Sequence, residues 1–555
     1  MRLSFLIWLF SVFSFSLLLA NSHCECGQTY FSNRSQDSYQ YLYMTLNAPH
    51  RFIYGNEALF FDIDFIIGYE DNFKREKLSS YFFSPSGGLT VGPNNENCNV
   101  RASDLGLGAD FKGCASLKPE YSNALVYFDV FVGIDNVIQG LWGEVMLPFL
   151  TLTHWNPCVS TSIDKNSSYN YYTVPDDIGL VSAGQNQNVV TNAKTNPVPI
   201  LFFGPRALQD ALNGQDEYSS FGDSAPIYSG RIYNQDYEWQ AISNLHFMLG
   251  YNFLMRERGN LGIAVDFVPG IGNSPGEDLT DMIYWNVDLF QGHVGSQNRT
   301  RLGGILRGQY EVWNNDTDKS VTVYSELSAY NMFKGKTTRI LGLCAGNSCA
   351  FNNWLLLKKY ILIDGVGQYL GLERACNLLR AVVQTGNNLE LQFNIMAQYK
   401  VNRLALSLGY NLYDRGAECL KLCYFGLSDP QKYSYVIKGD APVLIQGSTQ
   451  DGGFYSPADS TVSSTGTLVE GSQVVNVPAS LIQENEINFF NCGNNLNLQA
   501  AAHPRYISHT LFASLSYTLD SSFKPNISLI GKVELGKGNT AMNVWGFYFS
   551  GSIEF

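Results

Sequence analysis

The chain is 555 residues long, with a formal net charge of −13, 15% charged residues, 14% aromatic residues and 51 glycines. The acidic balance argues against nucleic acid as a partner, which calls for a basic surface. The charged fraction lies below the ~25% of ordinary soluble domains, and abundant Tyr, Phe and Gly suit strands with one face in lipid and aromatic residues at the interfaces.

Arg2 gives a short positive start, and Leu3 to Ala20 is apolar apart from four serines. Ala20-Asn21-Ser22 places small residues where a signal peptidase reads, which predicts a signal peptide over 1–22. An uncleaved anchor is the alternative, because 18 mostly apolar residues almost span a bilayer. His23 ahead of Cys24 argues against a lipoprotein signal. Residues 23–56 are read as an N-terminal segment, either a first strand or a plug. No second apolar helix follows, since Trp354 to Leu372 contains Lys358, Lys359 and Asp364.

From 57 onward the chain alternates with period two. In Leu59 to Glu70, Phe61, Ile63, Phe65, Ile67 and Tyr69 face one way, and Asp62, Asp64, Gly68 and Glu70 the other. The same pattern runs through 124–133, 141–149, 245–253, 261–267, 301–312, 321–329, 389–400, 403–412, 511–519 and 527–535. Several of these run ten residues or more, as a tilted membrane-crossing strand requires, whereas globular strands average ~5–6. Tight turns alternate with long polar connections at 156–236, 334–388 and 414–508, read as exposed loops. A soluble sandwich or propeller also alternates, but strand length and low charge count against the former, and the absence of a 20–50-residue period against the latter.

The last strand ends the argument for fold class. Trp545, Phe547, Phe549, Gly551, Ile553 and Phe555 share one face, and Tyr548, Ser550, Ser552 and Glu554 the other. This strand, the apolar start and the alternation together resemble bacterial outer-membrane β-barrel proteins of the porin-like type. The resemblance is to an architecture, with no family-defining motif inside the chain. It implies an all-β transmembrane antiparallel barrel over 57–555, of about 12–16 strands with long external loops. It also implies outer-membrane lipids as surroundings, and barrel-assembly machinery that reads the strand ending at Phe555.

Eleven cysteines follow residue 22. In an oxidising envelope loop disulfides are the default, with Cys98, Cys114, Cys344, Cys349, Cys419 and Cys423 as candidates. Cys344/Cys349 and Cys98/Cys114 would each clip a loop. The odd total leaves one thiol free or paired between chains, as in the disulfide-crosslinked envelope proteins of chlamydia-like bacteria, which the composition resembles. A zinc site at Cys419-Leu-Lys-Leu-Cys423 fails the usual C-x2-C spacing, so neither metal nor cofactor is expected. No nucleophile motif accompanies the histidines, and no enzyme is expected.

In a barrel, the polar strand faces line the lumen. Asp62, Asp64, Asp129, Glu144, Asp266, Arg301, Arg307, Glu311, Glu326, Glu390, Lys400, Arg403, Lys532 and Glu534 are the candidate pore-lining residues, because charge in lipid is unfavourable. The acid excess predicts a mildly cation-preferring channel for passive diffusion of small hydrophilic solutes. Acid and base paired inside a filled barrel would leave no open pore. The alternatives in function are a surface structural or adhesive protein anchored by the barrel, and a plugged-lumen transporter of hydrophobic substrates. Homo-oligomers and disulfide-linked envelope partners complete the expected contacts.

Overall fold

A computed structural model describes residues 28–35, 38, 40–47 and 60–554, apart from pieces of the connections, the longest being 173–199, 214–226, 272–288, 457–475 and 479–495. The signal-peptide region and Phe555 therefore lie outside the described residues.

Helix α1 (Gln40–Asn47) precedes twelve long strands. These are β1 (Phe60–Phe73), β2 (Glu120–Gly133), β3 (Leu141–Asn156), β4 (His246–Arg256), β5 (Gly259–Val268), β6 (Arg301–Asn314), β7 (Lys319–Met332), β8 (Asn388–Val401), β9 (Leu404–Arg415), β10 (Tyr506–Thr518), β11 (Asn526–Gly536) and β12 (Asn543–Glu554). Each pairs antiparallel with its neighbours in chain order. β12 returns to β1, with Asp62 opposite Glu554 and Phe73 opposite Asn543. Closure satisfies every edge, which a lipid setting demands. The strands run from 10 residues in β5 to 16 in β3, and their number is the lower end of the expected range.

The alternation sets the faces as expected. Leu249, Leu408, Leu511 and Phe547 point outward, each 61% exposed, whereas Asp64, Glu70, Asp129 and Glu390 are fully buried on the inside. So continuous an apolar exterior is stable only against lipid. Outward aromatics mark its borders. Tyr251, Tyr310, Trp313, Tyr399 and Tyr517 lie toward the end with short turns, and Tyr69 and Trp545 toward the other, their rings 6.1 Å apart. Among the described residues no helix is long and apolar enough to cross a membrane.

The connections alternate in length. Residues 134–140, 257–258, 315–318, 402–403 and 519–525 join strands at one end. Residues 74–119, 157–245, 269–300, 333–387 and 416–505 join them at the other, with 537–542 as the one short link there. In the β3–β4 seam, β4 is continued upward by Tyr237–Ala241, which pairs with Thr151–Trp155. Between these ladders, residues 147–150 and 242–245 do not pair across the seam, although Leu147, Pro148 and Leu150 remain paired with β2. Pro148 lies in that gap and has no N–H to donate.

The long connections correct the sequence reading. Instead of exposed loops, large parts of them fold into a cap with its own sheets. Gly335–Ile340, Arg380–Thr385 and Leu420–Phe425 form one. Trp354, Leu357, Leu379, Val383 and Leu496 are buried in the cap core together with Leu78 and Phe82 from 74–119. Each apolar run is short and set among polar residues, so its partners come from other connections and cannot be found by scanning one.

Cys114, Cys158, Cys376, Cys419 and Cys423 form no disulfide. Cys419 and Cys423 cannot bridge each other, because four residues of extended strand put their Cα atoms ~13 Å apart, beyond the ~7 Å a disulfide tolerates. Cys98, Cys344 and Cys349 lie outside the described residues. We expect Cys419 and Cys423, both exposed, to react with a maleimide in the folded, unreduced protein. Cys376 should stay protected, since burial pushes its thiol up to about 12. A mass shift of zero on a peptide spanning residues 419–425 would contradict this assignment.

Candidate functional site in the barrel lumen

The inner wall carries a belt of charge-assisted contacts. Arg301 Nη1 donates to Glu390 Oε2 at 2.9 Å, and the Tyr413 hydroxyl donates to Glu390 Oε1 at 2.8 Å. Arg307 Nη1 donates to Glu144 Oε2 at 3.4 Å while its guanidinium stacks 3.5 Å from the Trp142 ring. His246 Nδ1 lies 2.7 Å from Asp266 Oδ2, which also accepts from the Tyr330 hydroxyl at 2.9 Å. Lys532 Nζ lies 2.5 Å from Glu70 and 3.9 Å from Glu534, and Tyr548 donates to Glu70. Such pairs hold together in a low-dielectric interior because each charge meets its opposite and further donors.

Parts of the N-terminal segment, around Arg34 and along α1, occupy the space this wall encloses. Arg34 Nη1 donates to Asn411 Oδ1 at 2.9 Å and lies 3.5 Å from Glu534 Oε1. Its guanidinium sits 4.4 Å from the Tyr413 ring. Nε and Nη2 donate back to Ser38, at 2.8 and 2.7 Å, which folds the segment around the arginine. Further down, Tyr41 and Leu42 of α1 pack among Ile66, Leu125, Trp142 and Phe512, with the Tyr41 and Phe512 rings 5.0 Å apart.

The start of the segment is held by the cap and by Arg415 at the cap end of β9. The Thr29 N–H donates to the Ala500 carbonyl at 2.8 Å, and the Tyr81 hydroxyl to the Tyr30 carbonyl at 2.6 Å. Arg415 donates to Ser32 Oγ, the Ser32 carbonyl and the Asn33 carbonyl at 2.9–3.0 Å. Arg339 stacks 3.0 Å from the Tyr30 ring and, with Arg299, flanks Glu418 at 3.4 and 3.8 Å. Burial alone would raise the Glu418 carboxyl, but these two guanidiniums hold it below its ordinary value.

Of the predicted lining residues, Asp62, Asp64, Asp129, Glu144, Asp266, Arg301, Arg307, Glu326, Glu390, Lys532 and Glu534 are buried on the inner face. Glu326 accepts from Asn394 at 3.2 Å. Three do not join them. Glu311 is partly exposed near the short-turn end, where Asn314 donates to it. Lys400 is exposed at the same end, and Arg403 sits in the turn after β8 and pairs with exposed Asp520. Parity gives a residue's face but not its depth, and past the membrane the inner face meets water. Sequence reasoning also missed Arg34 and the inner aromatic residues. A signal for the latter exists. Gly68, Gly250, Gly303 and Gly409 face inward, opposite Tyr548, Trp142, Tyr330 and Phe512. A Cβ at any of these glycines would come within 2.0–2.3 Å of the facing ring, so the missing side chains let the rings lie flat across the wall.

No family model matches the chain, and no curated protein matches it. The solved structures similar to it include an outer membrane channel from Pseudomonas putida F1, at 8% identity over 91% of this chain and 98% of that one, with a TM-score of 0.32. The Pseudomonas putida toluene transporter TodX matches at 7% over 96% of both chains, with a TM-score of 0.27. OmpT, an outer membrane protein of Vibrio cholerae, matches at 8% over 91% and 99%, with a TM-score of 0.21. At these scores the fold assignment rests on the closed strand ladder, which makes the chain a β-barrel of the outer-membrane type.

Proposed function

We propose that the protein is an outer-membrane channel for small hydrophilic solutes, held shut by residues 28–47 and conducting when they withdraw. The observation that carries this reading is Arg34, an arginine of the N-terminal segment bound inside the lumen to Glu534 and Asn411. The wall around the segment is polar and mostly acidic. Asp62, Asp64, Glu70, Asp129, Glu144, Asp266, Glu326, Glu390 and Glu534 outnumber Arg301, Arg307, Arg415 and Lys532 among its buried charges. Withdrawing the segment removes Arg34 and leaves that excess facing water, which favours cations over anions.

In a planar bilayer under a salt gradient, the intact refolded chain is expected to stay mostly closed. Deleting 28–47 is expected to give stable conductance with a cation-selective reversal potential. Asp62→Asn with Asp64→Asn should weaken that selectivity. A deletion variant that migrates as a heat-modifiable barrel yet never conducts would overturn the channel reading. Function would then move to the folded cap, as in a surface structural protein.

A further inference from the structure

His503 lies where the cap, the wall and the N-terminal segment meet. Its ring is fully buried, 5.4 Å from Phe31 of the segment, 5.7 Å from Tyr81 and 6.0 Å from Tyr506, centroid to centroid. Its backbone N–H donates to Glu418 Oε2 at 2.9 Å. Nδ1 lies 2.6 Å from the Pro504 carbonyl, which can only accept, so Nδ1 carries the proton of the neutral ring. Nε2 is buried without a hydrogen-bond partner.

The charged groups around it are Arg415, Arg339 and Glu418. Both arginines grip the segment, Arg415 at Ser32 and Asn33 and Arg339 at Tyr30. Glu418 is already shared with Arg299 and Arg339. Tyr30, Tyr81 and Tyr506 contribute neutral phenols. A proton on Nε2 would therefore place another cation, without an acceptor, among guanidiniums that the single carboxylate already serves. The aromatic faces offset part of this through cation–π attraction, but they also keep water away.

We propose that His503 is an acid sensor for the gate: protonation drives the imidazolium out of its aromatic cage, removes the support of Phe31 and releases the N-terminal segment. The inference rests on the gated-channel reading above. Burial, together with Arg415 and Arg339, holds the His503 imidazole well below its ordinary value. Once released into water the ring returns to a pKa of about 6.5. The released state then binds a proton more readily than the held state. The held state keeps its full advantage above pH about 6.5 and loses up to about tenfold in the held-to-released ratio for each pH unit below it, down to the depressed value.

The test is the open probability of the full refolded chain in a bilayer at about pH 7.5 and about pH 5 on the loop side. The natural chain is expected to open at least about tenfold more often in acid. His503→Asn, whose amide can still donate to the Pro504 carbonyl, is expected to stay shut at both. His503→Gln is the second neutral variant, and heat-modifiable migration verifies that each folds. Equal acid opening in the natural chain and either folded variant overturns the proposal. A flat pH response in the natural chain, with conductance from the variant lacking 28–47, also overturns it and leaves the gate reading intact. Silence from that deletion variant overturns both.

Discussion

Replacing Lys532 by Met is expected to destabilise the folded barrel by about 3–5 kcal/mol, the range for removing one partner of a buried ion pair. Lys532 and Glu70 are both fully buried and 2.5 Å apart. Without the ammonium, Glu70 keeps the Tyr548 hydroxyl as a donor but loses the cation 2.5 Å away, and Glu534 retains Arg34, at 3.5 Å. Glu70→Gln in the same chain removes the carboxylate charge that Lys532 balanced. The double variant should therefore be closer to the natural protein than Lys532→Met alone, and this sign of coupling separates a buried pair from lost packing. Urea unfolding in lipid vesicles, followed by tryptophan fluorescence, measures both. A natural-like midpoint for Lys532→Met would mean that lumen water already screens the pair.

Gly250→Val is expected to disturb the opposite side of the lumen. A Cβ at Gly250 would lie 2.0 Å from the Trp142 ring, and the ring is backed by the Arg307 guanidinium, which holds Glu144. The indole cannot move inward without displacing that ion pair. Overpacking typically destabilises by about 1–3 kcal/mol, and loss of the Arg307–Glu144 contact adds to it. Gly304→Ala is the matched control. Gly304 faces outward on β6 with nothing within 4 Å of an added Cβ, so the change should stay within about 0.5 kcal/mol. If the two substitutions behave alike, Trp142 is not wedged against the wall.

The wall was legible in the sequence to a degree the site was not. Ile63, Phe65 and Ile67 could be assigned outward, and Asp62 and Asp64 inward, from parity alone. Arg307 and Glu144 were likewise placed on inner faces, but nothing in their neighbourhoods says that they meet, since 163 residues separate them. Arg34 gave no signal, because residues 28–35 carry no period. The cap escaped for a related reason. Trp354 and Leu357 look like a short apolar interruption until Leu78, Phe82 and Leu496 are brought against them.

By itself the sequence determined which side of each strand meets lipid and where several strands turn tightly into the next, while the long connections at 74–119 and 269–300 went unread. Both follow from a side-chain period of two that any local stretch reveals. Only the tertiary structure decided which charges pair, that Arg34, Tyr41 and Leu42 of the N-terminal segment enter the lumen and that the connections build a cap. The reason is the stagger of a closed barrel. One row of paired residues begins at Asp62, near the start of β1, and passes through Phe131, Glu144, Met248, Asp266, Gly303, Tyr330 and Glu390. From Arg415, the last residue of β9, it ends at Tyr506, the first residue of β10. Neighbours in that row differ in depth by amounts that only the closed ladder sets. A charge near the short-turn end of one strand and a charge near the cap end of another thus share one turn of the wall.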